Sequence, residues 1–506
     1  MKKRALFSLH RLDKVEKFAK LLCELGWEII ASKETVKVLT KKRIKVTNIA
    51  DFLRIKDDFG FPPTLHPRVE TLLTSSKGER IDLAYVIPYP ISVGNDVGGR
   101  TLLALAAKGN RIPVMTVQDM QDVVIDLKNN GKISGILHSR LLDKVHASIA
   151  RHYGNLIKKR LPHDLITGSF KYSLLNGENP YQVPAELFSL EQSDGLSISN
   201  FRQLSGEVPC FVNLADAESI IYTLCLASEA FRIRYKKIPY ICIAAKHGNA
   251  CGMGVSWSNP NEAINKALFA SPRAIWGGEV VVNFTINKRE AELLFKNKKR
   301  EDLYGNAAWM LDIIIAPRFT KEAIPVLSNR KMRKLLENKA LFSPVLSKTK
   351  YVYRFLRGGF LRQPPNNYVL DFKETEPIGL KLSNRTIDSL IIAWSIAWSS
   401  NHGGNEIAIA KNSQLLSVGG GPSTVEAAYV AVTRSKRCGH NLIDSVFAAN
   451  AFFPFIDAPK ILAGQKVMAG LVPAGGRSTN LVKNFLRKKN IRMVYLPEQY
   501  RGFSRH

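Results

Sequence analysis

The sequence predicts an α/β protein of more than one domain, and three observations carry that expectation. Short apolar runs rich in Ile, Val and Leu alternate with stretches at helical spacing from one end to the other, the pattern of parallel sheet covered by helices. The chain has 506 residues, too many for one ordinary core, so two or three domains are expected. Its hydrophobic fraction of 45% is ample for their burial.

Residues 4 to 9 read as a first strand. Asp13 is expected to cap a helix whose apolar face is Val15, Phe18, Leu22 and Leu25 and which Gly26 stops. Apolar strands are expected at 28 to 31, 37 to 39, 83 to 87 and 112 to 117, with a turn at Gly60-Phe61-Pro62-Pro63. Asp96-Val97-Gly98-Gly99-Arg100-Thr101 opens a helix that continues through Lys108. Paired glycines there can seat a phosphate on free N–H groups, or simply start a helix. A basic amphipathic helix over 140 to 160 ends at Leu161-Pro162-His163, the first domain boundary.

Beyond it, Asn176-Gly177-Glu178-Asn179-Pro180 is dense in turn formers, and Asp216 is expected to head a helix running to about Phe231. Ile238 to Ile243 reads as a buried strand delivering Lys246-His247 into a loop with Gly248 and Gly252. An imidazole with an ordinary pKa of about 6.5 exchanges protons near neutrality, and an adjacent ammonium stabilises negative charge. Taken alone, the pair is a loop histidine and a solvated lysine, and only its neighbours change that reading. A helix from Asn261, the Trp276-Gly277-Gly278 turn, a strand at 279 to 285, a helix at 288 to 297 and a strand at Asp312 to Ala316 continue the alternation. The lysine-rich stretch 330 to 350 reads as a crossover. A second lobe follows: a helix from Thr386 to Trp398, a strand from Glu406 to Lys411, a Gly419-Gly420-Gly421-Pro422 loop before a helix at Ser423, and strands at 467 to 472 and 492 to 496 around a turn at Pro473 to Ser478. The two C-terminal lobes repeat an element order.

Charge is the unusual bulk property: 73 Lys+Arg against 43 Asp+Glu, or +30. Such a field attracts nucleic acid, anionic membrane or small polyanions, among them nucleotides and polyglutamylated folates. The basic residues are dispersed and no aromatic RNA-binding signature accompanies them, which places nucleic-acid binding below a solvated basic surface. Six cysteines without a C-x-x-C pair suggest neither a zinc ribbon nor a disulfide framework, in keeping with a reduced cytoplasmic setting. No apolar run is long enough to span a bilayer, so no membrane association is expected.

Read in order, Gly177-Glu178-Asn179-Pro180-Tyr181-Gln182, Phe211 to Ala217, Lys246-His247, Ile314-Ile315-Ala316-Pro317, Ala451 to Asp457 and Arg501-Gly502-Phe503 resemble the bifunctional purine biosynthesis family. That family joins aminoimidazole carboxamide ribonucleotide (AICAR) formyltransferase to inosine monophosphate (IMP) cyclohydrolase. The resemblance implies a methylglyoxal-synthase-like parallel-sheet domain over 1–163. It also implies a formyltransferase region over 164–506, built of two cytidine-deaminase-like α/β lobes at about 164–340 and 341–506. The implied reaction moves a formyl group from 10-formyltetrahydrofolate, a co-substrate, to AICAR or a close analogue. His247 would then be the base, Lys246 would support the transition-state charge and the leaving nitrogen, and Asn405 would orient the formyl group. Gly277 and Asp312 would hold the imidazole nucleotide, Phe452, Pro454 and Asp457 a pocket shared with folate, and Arg501 the nucleotide. In the first domain Ser8, Asp96, Gly98, Gly99 and Lys108 carry the likeness. No metal is implied, and a homodimer is.

Several motif positions depart from the family's pattern. Leu175-Asn176 and Pro422-Ser423-Thr424-Val425 stand where arginines are usual, and Asn401-His402-Gly403-Gly404 lacks the usual lysine. Charge-assisted bonds to phosphate contribute about 1.5–3 kcal/mol each, so nucleotide binding is expected to weaken unless other basic residues serve. Ala31-Ser32-Lys33-Glu34-Thr35 replaces a glycine-rich phosphate loop, which leads us to expect weak or lost IMP cyclohydrolase activity. The reading from another class is a non-catalytic paralogue that keeps the fold to bind nucleotides or partners; a third is a basic nucleic-acid-associated protein.

Overall fold

The structure, a computed structural model, describes residues 2–56, 62–160, 164–190, 194–373, 375–377 and 382–503. Gly60, Phe61 and the expected boundary at Leu161-Pro162-His163 lie outside these. The chain divides into two compact units, which part between Ser169 and Phe170.

The first unit runs β1 (Arg4–Leu9), α1 (Val15–Glu24), β2 (Glu28–Ala31), α2 (Lys33–Lys41), β3 (Thr47–Asn48), α3 (Ile49–Leu53), α4 (Pro67–Thr74), β4 (Leu83–Ile87), α5 (Val97–Lys108), β5 (Ile112–Val114), α6 (Val117–Asn130) and α7 (Gly135–Arg160). Its five strands are all parallel, in the order β3-β2-β1-β4-β5. Side chains alternate across β1: Ala5 and Phe7 join Phe18, Leu22 and Val123 on one face, while Leu6 joins Leu102, Leu103 and Val145 on the other. Because the chain turns from β1 to β2 on one side and resumes at β4 on the other, a crevice opens at the carboxyl ends of β1 and β4.

The second unit begins with β6 (Ser169–Ser173) and β7 (Glu186–Ser189), a separate hairpin, and β8 (Arg202–Ser205). Then come α8 (Phe211–Tyr235), β9 (Tyr240–Lys246), β10 (Asn249–Ser256), α9 (Pro260–Leu268), β11 (Gly278–Val282), α10 (Lys288–Phe295), α11 (Lys298–Tyr304), β12 (Leu311–Ala316), α12 (Ala323–Leu327) and β13 (Lys334–Glu337). An exposed hairpin of β14 (Val352–Leu356) and β15 (Gly359–Gln363) and a short β16 (Glu376–Pro377) lead into the second lobe. That lobe is α13 (Asn384–Ser399), β17 (Asn405–Lys411), β18 (Gln414–Gly421), α14 (Thr424–Arg437), β19 (Val446–Ala449), α15 (Asp457–Ala463), β20 (Ala469–Pro473), α16 (Thr479–Lys488) and β21 (Arg492–Leu496). Each lobe is thus a helix, a strand hairpin, and then strands alternating with helices. Their strands form one twelve-stranded sheet, β16-β21-β20-β19-β17-β18-β10-β9-β11-β12-β13-β8, whose halves mirror each other about the β10–β18 junction.

The packing repeats the symmetry. α8 and α13 share one face across both lobes in a single core with Phe231, Trp394 and Trp398, while α9, α10 and α12 cover the other face of one half and α14, α15 and α16 that of the other. Every residue of α13 from Thr386 to Ser399 is buried, so beyond its first two residues this helix has no solvent face. Its one acid, Asp388, accepts hydrogen bonds from Tyr235 on α8 (2.8 Å) and from the Trp257 indole (2.9 Å). Among the described residues no helix is long and apolar enough to cross a membrane.

Several local expectations are corrected. Residues 37 to 39 belong to α2, where Thr35 and Leu39 bury at i, i+4 spacing and three residues were too few to declare a period. Asp13 does not cap α1: Lys14 holds that position in a left-handed conformation, and Asp13 pairs with Arg11 at 3.1 Å. The strand at 112 stops at Val114, because the Thr116 hydroxyl accepts the Asp119 N–H and starts α6. α8 starts five residues before Asp216, and the 330–350 stretch contains β13. β11 ends at Val282, short of 285. Gly419-Gly420-Gly421 is no loop but the end of β18, and α16 as well as a turn separates the last two strands.

One buried cation ties the sheet together ahead of Asp312. Arg333, 1% exposed, donates to the carbonyls of Trp309 (3.0 Å), Leu311 (3.0 Å) and Leu327 (3.2 Å). Burial pulls its pKa down to about 10. Arg333→Ala leaves three buried carbonyls unpaired and is expected to lower the unfolding free energy by roughly 3 kcal/mol or more. Urea denaturation measures this, with Arg333→Lys expected to recover less than half of the loss because one ammonium cannot span all three acceptors.

Candidate functional site

The hairpin of β9 and β10 turns on two residues, His247 (φ 52°) and Gly248 (φ 64°), between the paired Lys246 and Asn249. Two left-handed residues in a two-residue loop make the turn whose twist matches that of its strands. The loop expected after the strand is therefore as short as a hairpin permits, with His247 exposed at its tip and Lys246 half-buried beside it. Lys246 does not point to solvent: its ammonium donates to the Gly277 carbonyl.

Strand directions bring further groups to the same edge of the sheet. β11 runs antiparallel to β9, with Glu279 opposite Ala245, and β12 runs parallel to β11, so both strands start where β9 ends. A Cβ on Gly277 would lie 3.0 Å from the Lys246 ammonium and 3.6 Å from an Asp312 oxygen, so the two charges flank that glycine. β18 runs antiparallel to β10, Gly254 opposite Gln414, which carries Asn249 toward the Gly419–Gly421 end of β18, where β17 starts at Asn405. One side chain spans the lobes: Asn249 Oδ1 accepts the Asn401 N–H at 2.7 Å, and its Nδ2 donates to the His247 carbonyl at 3.0 Å. Asn405 stands four residues after Asn401, within about 14 Å along even a fully extended chain.

β19 and the parallel β20 and β21 end on this edge as well. Just past β19, Asn450 accepts from the Glu406 N–H (2.8 Å) and donates to the carbonyls of Gly404 (2.9 Å) and Gly502 (3.2 Å), tying the C-terminal segment to the start of β17. The Arg501 guanidinium lies 5.0 Å from the Phe452 ring centroid and is bonded to Glu498, while Gly475 and Gly476 pack against that ring. Pro454 and Asp457 follow on the surface, Asp457 heading α15 with Lys460 at 3.9 Å. Asn405 spends its amide N–H groups on the carbonyls of Gly421 (3.3 Å) and Pro422 (3.0 Å), so its carboxamide oxygen is the atom left for a ligand. Thus the sequence-derived residues of this unit form two groups on one edge, Lys246, His247, Gly277 and Asp312 in one lobe and Asn405, Phe452, Pro454, Asp457 and Arg501 in the other.

In the first unit, Ser8 is the next-to-last residue of β1, opposite Val86 of β4. Asp96 is 4% exposed and fully committed, Oδ1 accepting the Gly99 N–H (2.7 Å) and Oδ2 the Tyr89 N–H (3.0 Å). A Cβ on Gly99 would meet Asp96 at 2.7 Å, whereas Gly98 has room. Lys108 is not brought to this group: it ends α5, exposed and about 14 Å along the helix from Gly99. Lys33-Glu34-Thr35 forms the first turn of α2, with Glu34 paired to Lys37 at 2.9 Å, in place of an open phosphate loop.

Sequence reasoning missed the acids behind Lys246. Glu279, 3% exposed on β11, is hydrogen-bonded to Asp216 on α8, and one of its oxygens has no partner among the described residues. Burial, then Asp216 and Asp312, push its pKa up to about 8 against the opposing pull of Lys246. A charged residue heading the apolar run Glu279-Val280-Val281-Val282 was the available signal. Glu406 before Ile407-Ala408-Ile409-Ala410 is the same signal in the other lobe; it too is buried, with His402 against it.

A carboxyl whose folded pKa lies above its unfolded value favours the folded state while protonated, so its contribution is complete below about pH 4.5 and fades as pH rises through about 8. Glu279→Gln should therefore be more stable than the parent above pH 8, by more than about 1 kcal/mol, and should flatten the decline between those values. Urea titrations at several pH values measure it.

Residues 106–434 match the family model described as the AICARFT/IMPCHase bienzyme. Along almost the whole chain the sequence is similar to curated proteins named bifunctional purine biosynthesis protein PurH. That of Caldicellulosiruptor bescii is 28% identical over 98% of each chain, and that of Anoxybacillus flavithermus 30% identical over 94% of each. A PurH from Persephonella marina is 25% identical over 98% of each. With a family model matched over more than half of its length, and with the gathered edge described above, the chain belongs to the AICARFT/IMPCHase bienzyme family.

Proposed function

We propose that this protein transfers a formyl group from 10-formyltetrahydrofolate to AICAR or a close analogue, on the sheet edge that carries Lys246-His247 and Asn405. The observation that carries the reading is the convergence of those residues with Asp312, Phe452 and Arg501 on that edge within one chain. The attacking amine is weakly basic and must lose a proton as the C–N bond forms. His247, exposed at a tight turn and held by Asn249, is suited to take it. Lys246 and Asp312, flanking Gly277, offer a charged seat for the nucleotide, and the Phe452–Arg501 stack a flat face for a ring system. On this reading the lobes are the cytidine-deaminase-like halves of a formyltransferase, the protein works in the cytoplasm, and it acts as a homodimer.

We assign the first unit a methylglyoxal-synthase-like fold with weak or absent IMP cyclohydrolase activity. Asp96 is spent on capping α5, and the segment 31–35 leads into α2 without glycine. One observation favours the non-catalytic alternative: Ser423, where the family has an arginine-bearing motif, is engaged in a capping box with Glu426 and offers no cation.

The wild-type protein should form tetrahydrofolate from 10-formyltetrahydrofolate in the presence of AICAR, and His247→Ala should slow this by roughly 10²–10⁴-fold. Absence of turnover in the wild type would establish the non-catalytic reading, and equal rates would remove His247 from the reaction. Formylated AICAR supplied directly should give IMP far below about 1 s⁻¹, the lower end of ordinary turnover. A rate above that would show a working cyclohydrolase.

A further inference from the structure

Glu406 has no exposed side-chain surface, and both of its oxygens serve one residue. Oε1 accepts the His402 backbone N–H and Oε2 lies 2.9 Å from His402 Nδ1. A carboxyl removed from water needs hydrogen bonds in place of hydration, and the His402 backbone and ring supply one to each oxygen. The pairing sets the ring: Nδ1 carries a proton toward Glu406, and Nε2 is left as the exchanging atom. Among the described residues nothing hydrogen-bonds to Nε2, and the side chain is 19% exposed. The backbone is shaped around the pair, since a Cβ on Gly420 would lie 2.5 Å from His402 Cβ and 2.6 Å from Glu406 Oε1. Asn450 fixes Glu406 and Gly404 from β19, and the Asn401 N–H, one residue before His402, is bonded to the asparagine that holds His247.

We propose that His402 is a second proton-transfer residue of this edge, with Glu406 as its positioning residue; this rests on the formyl-transfer reading above. The amine nitrogen bonds to the formyl carbon and yields its proton to His247. As the bond from that carbon to the folate nitrogen breaks, its electron pair returns to the nitrogen, which takes the Nε2 proton of the His402 imidazolium. Exchange with water resets both rings, so the net transfer is one proton from amine to folate. Lys246 is less suited to this step, because its ammonium is bonded to the Gly277 carbonyl and stands near Asp312 and Glu279. The charged and titratable groups around His402 are Glu406 at the start of β17, Glu426 of α14 behind Gly421, His247 across the Asn249 bridge, and Arg501 and Glu498 beside Gly502.

The test is the pH dependence of formyl transfer to AICAR by the full chain, its His402→Asn, His402→Ala and Glu406→Gln variants, between pH 5.5 and 9. The expected result is a wild-type kcat that falls on the alkaline side as His402 loses its proton. His402→Asn should lose that limb and about 10²-fold in kcat with the KM for AICAR little changed. Added imidazole should restore part of the His402→Ala rate, and Glu406→Gln should move the alkaline limb to lower pH. Thermal unfolding identifies any variant that fails to fold, and the part-exposed His402 variants keep the test independent of the buried acid. An active wild type whose His402 variants keep kcat within about threefold, or lose rate with the alkaline limb intact and no imidazole rescue, overturns the proposal. An inactive wild type overturns the formyl-transfer reading and this role together, so the two failures are told apart by the wild-type rate.

Discussion

The antiparallel meeting of β10 with β18 is the constraint from which the second unit's chemistry follows. Two lobes with the same element order would otherwise carry separate sheets, each with an exposed inner edge inviting foreign pairing. Joined, they leave one sheet in which the tip of one hairpin stands beside the start of the other. Asn249 completes the junction by bonding Asn401 and the His247 carbonyl at once. Because β-sheet register is set in steps of one residue, a slip at Gly254 opposite Gln414 would turn each facing side chain to the wrong side. The shared core of α8 and α13, with Trp394 and Trp398 fully buried, holds that register from one face.

Each lobe buries an acid near the start of a strand at this edge, on strands that do not correspond in the mirrored order. Glu279 and Glu406 each head a strand that is otherwise apolar, and each is compensated differently. Glu279 is buried and shares its surroundings with Asp216 and Asp312, and burial first, then the neighbouring carboxyls, raise its pKa. Glu406 has a single residue on both oxygens, the His402 backbone N–H on Oε1 and its ring Nδ1 on Oε2. At Ser423 and Glu426 the residues serve helix capping and bring no cation. The permanent cations at the edge are therefore Lys246, beside Asp312, and Arg501, beside Glu498.

The first unit follows another logic. Its parallel sheet opens a crevice at the carboxyl ends of β1 and β4, the usual seat for a ligand in such sheets. Tight capping by Asp96 and the helical start at Lys33 make that seat less open to phosphate than a glycine loop would be.

By itself the sequence determined the fold class, the repeated element order of the C-terminal lobes, most strands and helices, and the family whose residues recur in order. Hydrophobic period and turn residues are local properties, so Arg4–Leu9, Asn384–Ser399 and Leu311–Ala316 could be read directly. Short runs such as 37 to 39, and helix starts such as that of α8, were not legible, because packing partners rather than propensity chose them. Only the tertiary structure decided which of the candidate residues meet. Strand direction and register joined the His247 turn to Asn401 through Asn249, and gave Glu279 its partner on α8. The Asn249–Asn401 and Glu279–Asp216 contacts join residues tens to hundreds of positions apart, and no local pattern encodes them.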